Sequence, residues 1–303
     1  MELSWLMKLR IAAAAAVGFV LLGVLGWPLA ESAEPFGLVS VFADGIGFAD
    51  ILTLVPLAGL AALAGFIGYF LAWPYGSEIG ILAAPFGLAV LALRSDSMAY
   101  LMQISPTITQ RQVMLSALKW EPAFWLIVVA AGFAGVLVGR KISQQKARPV
   151  EMEERTNSKS TVYLNAVIAL AGSILIAQFC IRIFAKDVQL PDKVLGTVVA
   201  QPDVKQIAFA VLVSFGIAAF IVKKFLNASY VWPIVSSALV TCFVKAAYLK
   251  QNILEHLIHK WPEVFFPHAA ASILPVQMVA FGTLGSIAGY WLAVRYNYWR
   301  KHG

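Results

Sequence analysis

Residues 51–73 read ILTLVPLAGLAALAGFIGYFLAW, 23 positions without one charged side chain. A helix rises about 1.5 Å per residue, so roughly 20 such residues cross the ~30 Å hydrocarbon core of a bilayer. The run lacks the strict polar and apolar alternation of a barrel strand. A helix satisfies its own backbone groups in lipid, so the segment predicts a transmembrane helix.

Seven further apolar runs extend the reading to eight spans, at about 11–29, 51–73, 79–93, 122–139, 162–184, 207–222, 229–248 and 268–294. Composition agrees, with 60% hydrophobic and 13% charged residues, where a soluble domain carries about one quarter charged. The expected class is an all-α polytopic integral membrane protein whose first partner is the lipid bilayer.

The net charge is +7, from 23 Lys and Arg against 16 Asp and Glu. Basic residues gather on the cytoplasmic side of membrane proteins, and no basic patch with interleaved stacking aromatics is present, so no nucleic acid partner is expected. Lys8 and Arg10, the segment RKISQQKAR at 140–148, the pair Lys223 and Lys224, and Arg295, Arg300 and Lys301 all fall on the N-terminal side of the eight spans. The segment ESAEPFGLVSVFADGIGFAD, 31–50, has no Lys or Arg and falls on the other. This predicts cytoplasmic termini in a multi-pass protein of a bacterial cytoplasmic (inner) membrane. The first run is long for a signal peptide, and Pro28 and Glu31 fit a cleavage site poorly, so a retained helix is expected. Cys180 and Cys242 lie in or beside apolar runs without metal spacing and read as buried inert thiols.

One segment, residues 140–160, is polar and charge-rich. It reads as a cytoplasmic linker that divides the chain into a first half, 1–139, and a second, 161–303, of four spans each. Each half runs as helix, outer loop, two helices around a tight inner turn, an amphipathic outer segment and a last helix. That order predicts two similar four-helix halves, a parallel pseudo-repeat about an axis along the membrane normal. Short identities follow it. AYLMQ at 99–103 recurs as AYLKQ at 247–251, and the same shift pairs Pro85 with Pro233, Leu91 with Leu239, and Gly68 with Gly216. KWEPAFW at 119–125 faces KWPEVFF at 260–266, each stretch entering the last helix of its half. GLVSVFAD at 37–44 lies beside GTVVAQPD at 196–203.

The repeat singles out candidate pathway positions. Pro85 and Pro233 stand near the start of the third helix of each half, either harmless in a first turn or freeing the carbonyls of Ile81 and Ser229. Tyr100 and Tyr248 are expected at the outer interface with wet hydroxyls, and a water-accessible cavity is expected near Gln103 and Gln251 or deeper near the two prolines. Arg94 and Lys245 precede the two AYLxQ blocks; such cations ordinarily snorkel to the interface, and are otherwise the first candidates for a polar path. Glu78, Asp44, Asp50 and Glu121 read as interfacial or solvated charges. Asn165, Gln178, Ser236, Ser237, Thr241 and Gln277 read as helix-to-helix hydrogen bonders that would also suit a cavity wall. Glycines and alanines, as in AGLAALAGFIG at 58–68 and GTLGSIAG at 282–289, permit close helix contact.

The stretch LEHLIHKWPEVFFPH, 254–268, gathers His256, His259 and His268 beside Glu255 and Glu263. His256 and His259, three apart, would share a helix face as metal-ligand candidates. Ile253, Leu254, Leu257, Ile258 and Trp261 form the opposing apolar face of a surface helix, which leaves the histidines on its solvated side, the favoured reading. The chain lacks GxSxG, HExxH, Walker and diphosphate motifs, so no cofactor and no enzyme activity is expected. The expected function is a permease- or channel-like transport subunit of unknown substrate. The alternative is a non-catalytic structural or accessory subunit of a larger membrane complex, partnered by other membrane subunits or by further copies of itself.

Overall fold

The computed structural model describes residues 4–30, 48–144, 159–261 and 264–302. Helix α1 (Trp5–Gly18) runs on into a π-helical stretch (Phe19–Val24), followed by the short α2 (Trp27–Ala30). After α3 (Phe48–Leu71), the third span is assembled from α4 (Gly76–Ile79), a 3-10 turn (Gly80–Leu82) and α5 (Ala83–Arg94). The short α6 (Met98–Ile104) and α7 (Ile108–Leu118) lead into α8 (Glu121–Gln144). The second part comprises α9 (Lys159–Phe184), an antiparallel hairpin of β1 (Gln189–Asp192) and β2 (Gly196–Val199), and α10 (Val204–Leu226). It continues with α11 (Val231–Tyr248), α12 (Gln251–Lys260), a 3-10 turn (Ala269–Ser272) and α13 (Pro275–His302).

Among the described residues eight helices are long and apolar enough to cross a membrane. This fits a multi-pass helical membrane protein. The sixth, expected at 207–222, extends over Val204–Leu226 because both its ends are capped. The Asp203 side chain accepts from the Lys205 N–H. Asn227 closes the other end in the left-handed region, φ 51°, its side chain held by the Lys223 ammonium at 2.7 Å. The last span begins at Pro275 and not at 268, a proline being well placed in a helical first turn. The linker expected at 140–160 loses its edges to helix, since α8 reaches Gln144 and α9 starts at Lys159. The rest of it, and GLVSVFAD at 37–44, lie outside the described residues.

Two helix pairs dominate the packing: α3 on α8, and α10 on α13. Their glycines explain why. Gly132, Gly135 and Gly139 of α8 have the same GxxGxxxG spacing as Gly282, Gly285 and Gly289 of α13, 150 positions later. A Cβ on Gly135 would overlap the Ala62 carbonyl oxygen, and one on Gly285 the Leu212 carbonyl oxygen. Gly65 likewise meets the Gly132 carbonyl, and Gly289 that of Gly216. Backbone therefore touches backbone, the arrangement that drives helix association in lipid through dispersion contacts. Gly68 and Gly216, paired by sequence, face different neighbours: Gly68 abuts Ala83 and Gly80 of the third span, whereas Gly216 abuts Gly285.

Helix α13 is the centre of the molecule. Every residue from 269 to 283 is buried, first in the 3-10 turn and the two residues after it, then in the opening turns of α13. On one side α13 meets α10 and α11, on the other α5 and α8. Ile287 packs with Tyr69, Ile81 and Val136 on that second side.

Candidate functional site: a buried charge pair at the junction of the two halves

A segment of irregular backbone buried in a membrane protein must find hydrogen-bond partners within the protein. Residues 269–274 are such a segment, and side chains from three neighbouring elements supply the partners. The Lys245 ammonium, from the last turn of α11, donates to the Ala271 carbonyl at 2.8 Å and sits 3.3 Å from the Met98 sulfur. Gln201 donates from Nε2 to the Ser272 carbonyl at 3.2 Å and accepts the Ala99 N–H at 3.1 Å, tying α6 to the segment. Gln277 accepts the Leu274 N–H through Oε1, and its Nε2 donates to the Ala92 carbonyl and to Ser95 Oγ at the end of α5. Ser272 Oγ closes the 3-10 turn on the Ala269 carbonyl. The first and second halves are thus joined by a belt of polar contacts.

Lys245 is 0% exposed, and so is Glu121 at the start of α8, whose charge acts on it. Glu121 also accepts from the Trp125 indole at 2.8 Å. One half contributes the cation and the other the anion. Sealing a lone charge in low dielectric is costly, and opposite charges offset much of that cost. Both positions depart from the sequence reading, which placed Lys245 at the interface and took Glu121 as an interfacial or solvated charge. The physical reason is the broken segment: an unpaired carbonyl at Ala271 demands a donor, and Lys245 is long enough to reach it.

A polar stripe continues from Lys245 along α11. Ser237, Thr241 and Lys245 are spaced four apart, hence on one face, and all three are buried. Ser237 and Thr241 bond back to their own helix, at the Ile234 and Ser237 carbonyls. Two hydroxyls in the same half, Ser214 of α10 and Thr283 of α13, are buried without a hydrogen-bond partner. Thr283 lies one turn before Ile287, on the face of α13 turned to the first half.

The other candidate positions separate from this site. Pro233 is the third residue of α11, its harmless reading, and the Ser229 carbonyl accepts the Trp232 N–H. Pro85 is the third residue of α5 but is preceded by α4 and the 3-10 turn, so helix does begin earlier there. Both prolines are buried. Arg94 is exposed, its guanidinium 4.0 Å above the Trp27 ring and bonded to the Gly23 carbonyl of the π-helical stretch. It clamps the end of the first span and is no part of the belt.

Tyr100 and Tyr248 occupy unlike surroundings. Tyr100 is half-buried on α6, while Tyr248 ends α11 fully buried, its ring edge-on to Phe266 and its hydroxyl 3.9 Å from the Met102 sulfur. The expected wet hydroxyl is therefore wrong for Tyr248. AYLMQ lies inside α6, whereas AYLKQ spans the break between α11 and α12, so the two blocks differ in local structure. Gln103 and Gln251 are both exposed, and Gln251 pairs with Glu255 at 2.6 Å. KWEPAFW runs directly into α8. KWPEVFF instead ends α12, and its Phe266 pairs in an antiparallel bridge with Val199 of β2.

The histidine cluster is a clasp between the hairpin and α12. His256 Nε2 lies 2.8 Å from Asp192 Oδ2, and the Trp261 indole donates to the same oxygen at 3.0 Å. The N–H groups of Val194 and Leu195 donate to Asp192 Oδ1. With so many donors, led by the Leu195 amide, the carboxyl is held far below its ordinary range. His259 is exposed, and Glu263 lies outside the described residues. Among the described residues no group of three His, Cys, Asp or Glu is placed to hold a metal ion. His268 precedes the broken segment; burial, aided by the charges of Arg182 and Lys245, lowers its pKa to about 4.

Sequence reasoning missed two features. The GxxGxxxG spacing of α8 repeats that of α13 and was visible in the letters. The broken segment was hidden because AAASILP, 269–275, is as apolar as the helix it precedes; Pro275 was its single punctuation.

The fold and the belt define a helical membrane bundle that, among the described residues, buries two ionisable side chains fully, Lys245 and Glu121. Compared with known proteins, the chain matches no family model, no curated protein and no solved structure.

Proposed function

We propose that the chain is a permease- or channel-like membrane transport subunit, built from a duplicated four-helix unit with its termini in the cytoplasm, and that its pathway follows the junction at Lys245. The observation that carries this reading is the burial of two ionisable side chains, Lys245 in the second half of the chain and Glu121 in the first, both 0% exposed. Ionisable groups inside a membrane bundle are expensive, and where they occur they ordinarily serve a path for ions, protons or substrate. The partnerless hydroxyls of Ser214 and Thr283 add polar lining in the same half.

Duplication is supported by the matching glycine triplets and by the dominance of second-on-fourth helix packing in each half. The polar stripe belongs to the second half alone. Under the shift that pairs the prolines, Ser237 and Thr241 correspond to Ala89 and Leu93. Function then rests on divergence of one copy, with the other retained as a packing partner.

The test is accessibility. Ser214→Cys and Thr283→Cys, each in a Cys180→Ala, Cys242→Ala background, are treated in proteoliposomes with a membrane-impermeant thiol reagent from each side. Labelling of either position supports the pathway. Protection of both from both sides overturns it and leaves the accessory-subunit reading, which the dry glycine contacts of α3 with α8 and α10 with α13 favour.

A further inference from the structure

The outer surface of the bundle carries a groove between α1 and α3, lined by Ala13, Ala16, Val17, Val20, Leu21 and Leu71 together with Ile67, and enclosing about 460 Å³. Alanine at 13 and 16 leaves the space that longer side chains would fill. Val20 and Leu21 lie where α1 has widened into its π-helical stretch. From Ala13 to Leu21 the helix rises about 12 Å, close to the ~15 Å depth of one leaflet's hydrocarbon.

What stands at its mouth decides the occupant. Arg10 is one turn before Ala13, and its guanidinium lies 5.8 Å from the ring centre of Tyr75, four residues beyond Leu71 in the turn that follows α3. Trp5 at the start of α1, and Trp73 and Tyr75 in that turn, are 76%, 50% and 46% exposed, and exposed aromatics mark the headgroup level of a membrane protein. A cation at that level, above an apolar slot as deep as a leaflet, matches an anionic phospholipid in both of its parts.

We infer that this groove binds the acyl chain of an anionic phospholipid, whose phosphate is held by Arg10. The inference is independent of the transport reading, since neither Lys245 nor the junction takes part. One basic side chain near a membrane surface favours an anionic headgroup by about 1 kcal/mol, or about fivefold.

The full-length protein is exchanged into detergent with equimolar phosphatidylglycerol and phosphatidylcholine, and the bound lipid is counted by native mass spectrometry. One phosphatidylglycerol is expected to be retained at about fivefold preference. Arg10→Gln should abolish the preference while Arg10→Lys keeps it. Ala16→Phe, which fills the slot from an exposed position, should remove the bound lipid without lowering the melting temperature. Equal retention of the two lipids, an unchanged preference in Arg10→Gln, or a dimer of this chain that Ala16→Phe dissolves would each overturn the assignment, the last by naming a second copy as the occupant.

Discussion

The ammonium of Lys245 lies 2.8 Å from the carbonyl oxygen of Ala271, so a membrane helix of the second half caps the broken backbone that precedes α13. This contact satisfies a carbonyl that the short 3-10 turn leaves free, which lipid alone would not.

Removing the lysine tests that role. Lys245→Met leaves the Ala271 carbonyl without its donor and Glu121 without its counter-charge, and is expected to destabilise the protein by about 3 kcal/mol or more. Adding Glu121→Gln should recover part of that loss. The measurement is a double-mutant cycle by thermal unfolding in detergent; equal melting temperatures for wild type and Lys245→Met would show that the cap is dispensable.

Glycines of the two helix seams should differ sharply from glycines that face outward. A Cβ at Gly285 would overlap backbone of α10, while one at Gly172 of α9 meets nothing within 4 Å. Gly285→Ala is expected to cost about 1–3 kcal/mol through forced separation of the helices. Gly172→Ala should gain about 0.5–1 kcal/mol from helix propensity. Both are read from the same unfolding transition.

His268 predicts a loss of stability on acidification. Its pKa falls from 6.5 to about 4 in the folded protein, so below pH 6.5 the unfolded chain takes up a proton that the native chain refuses. Stability present above pH 6.5 is lost as pH falls toward 4, by on the order of 2–3 kcal/mol in total. His268→Gln should flatten the melting temperature between those values, and an unchanged slope would reject His268 as the cause.

Asp192 behaves differently, because its native pKa is depressed below the ordinary 3.8. The clasp it makes is complete above pH 3.8 and weakens only as pH falls through the lower native value. Hydrogen exchange at the Val194 and Leu195 amides should therefore show the same protection at pH 7 and pH 4 after correction for intrinsic rates. Asp192→Ala should lose that protection at both.

The spans were legible because an apolar run of sufficient length has one stable solution in lipid, and 51–73 against α3, Phe48–Leu71, shows letters marking it to within three residues at either end. Where helices end within apolar sequence, legibility fails. Residues 269–274 carry no charge and one small hydroxyl, Ser272, so the eye extends α13 backward, and the partner that the true geometry demands, Lys245, is read as an interfacial cation. The AYLxQ identity misled for a related reason: five shared letters do not fix where a helix stops, and Leu249 turns the chain in one copy while Leu101 continues a helix in the other. The enclosed charge pair was illegible because Glu121 and Lys245 are 124 positions apart, and only tertiary structure relates them.

In each half the tightest seam joins the second helix to the fourth, not to a sequence neighbour. During synthesis the flank of α3 that carries Gly65 emerges well before α8 exists, and the flank of α10 around Leu212 and Gly216 well before α13. Each half must therefore wait unsealed in the bilayer, its bare backbone ridge open to stray helices, until its final segment leaves the ribosome. A chain cut short before residue 275 would leave that ridge on α10 without the helix that covers it.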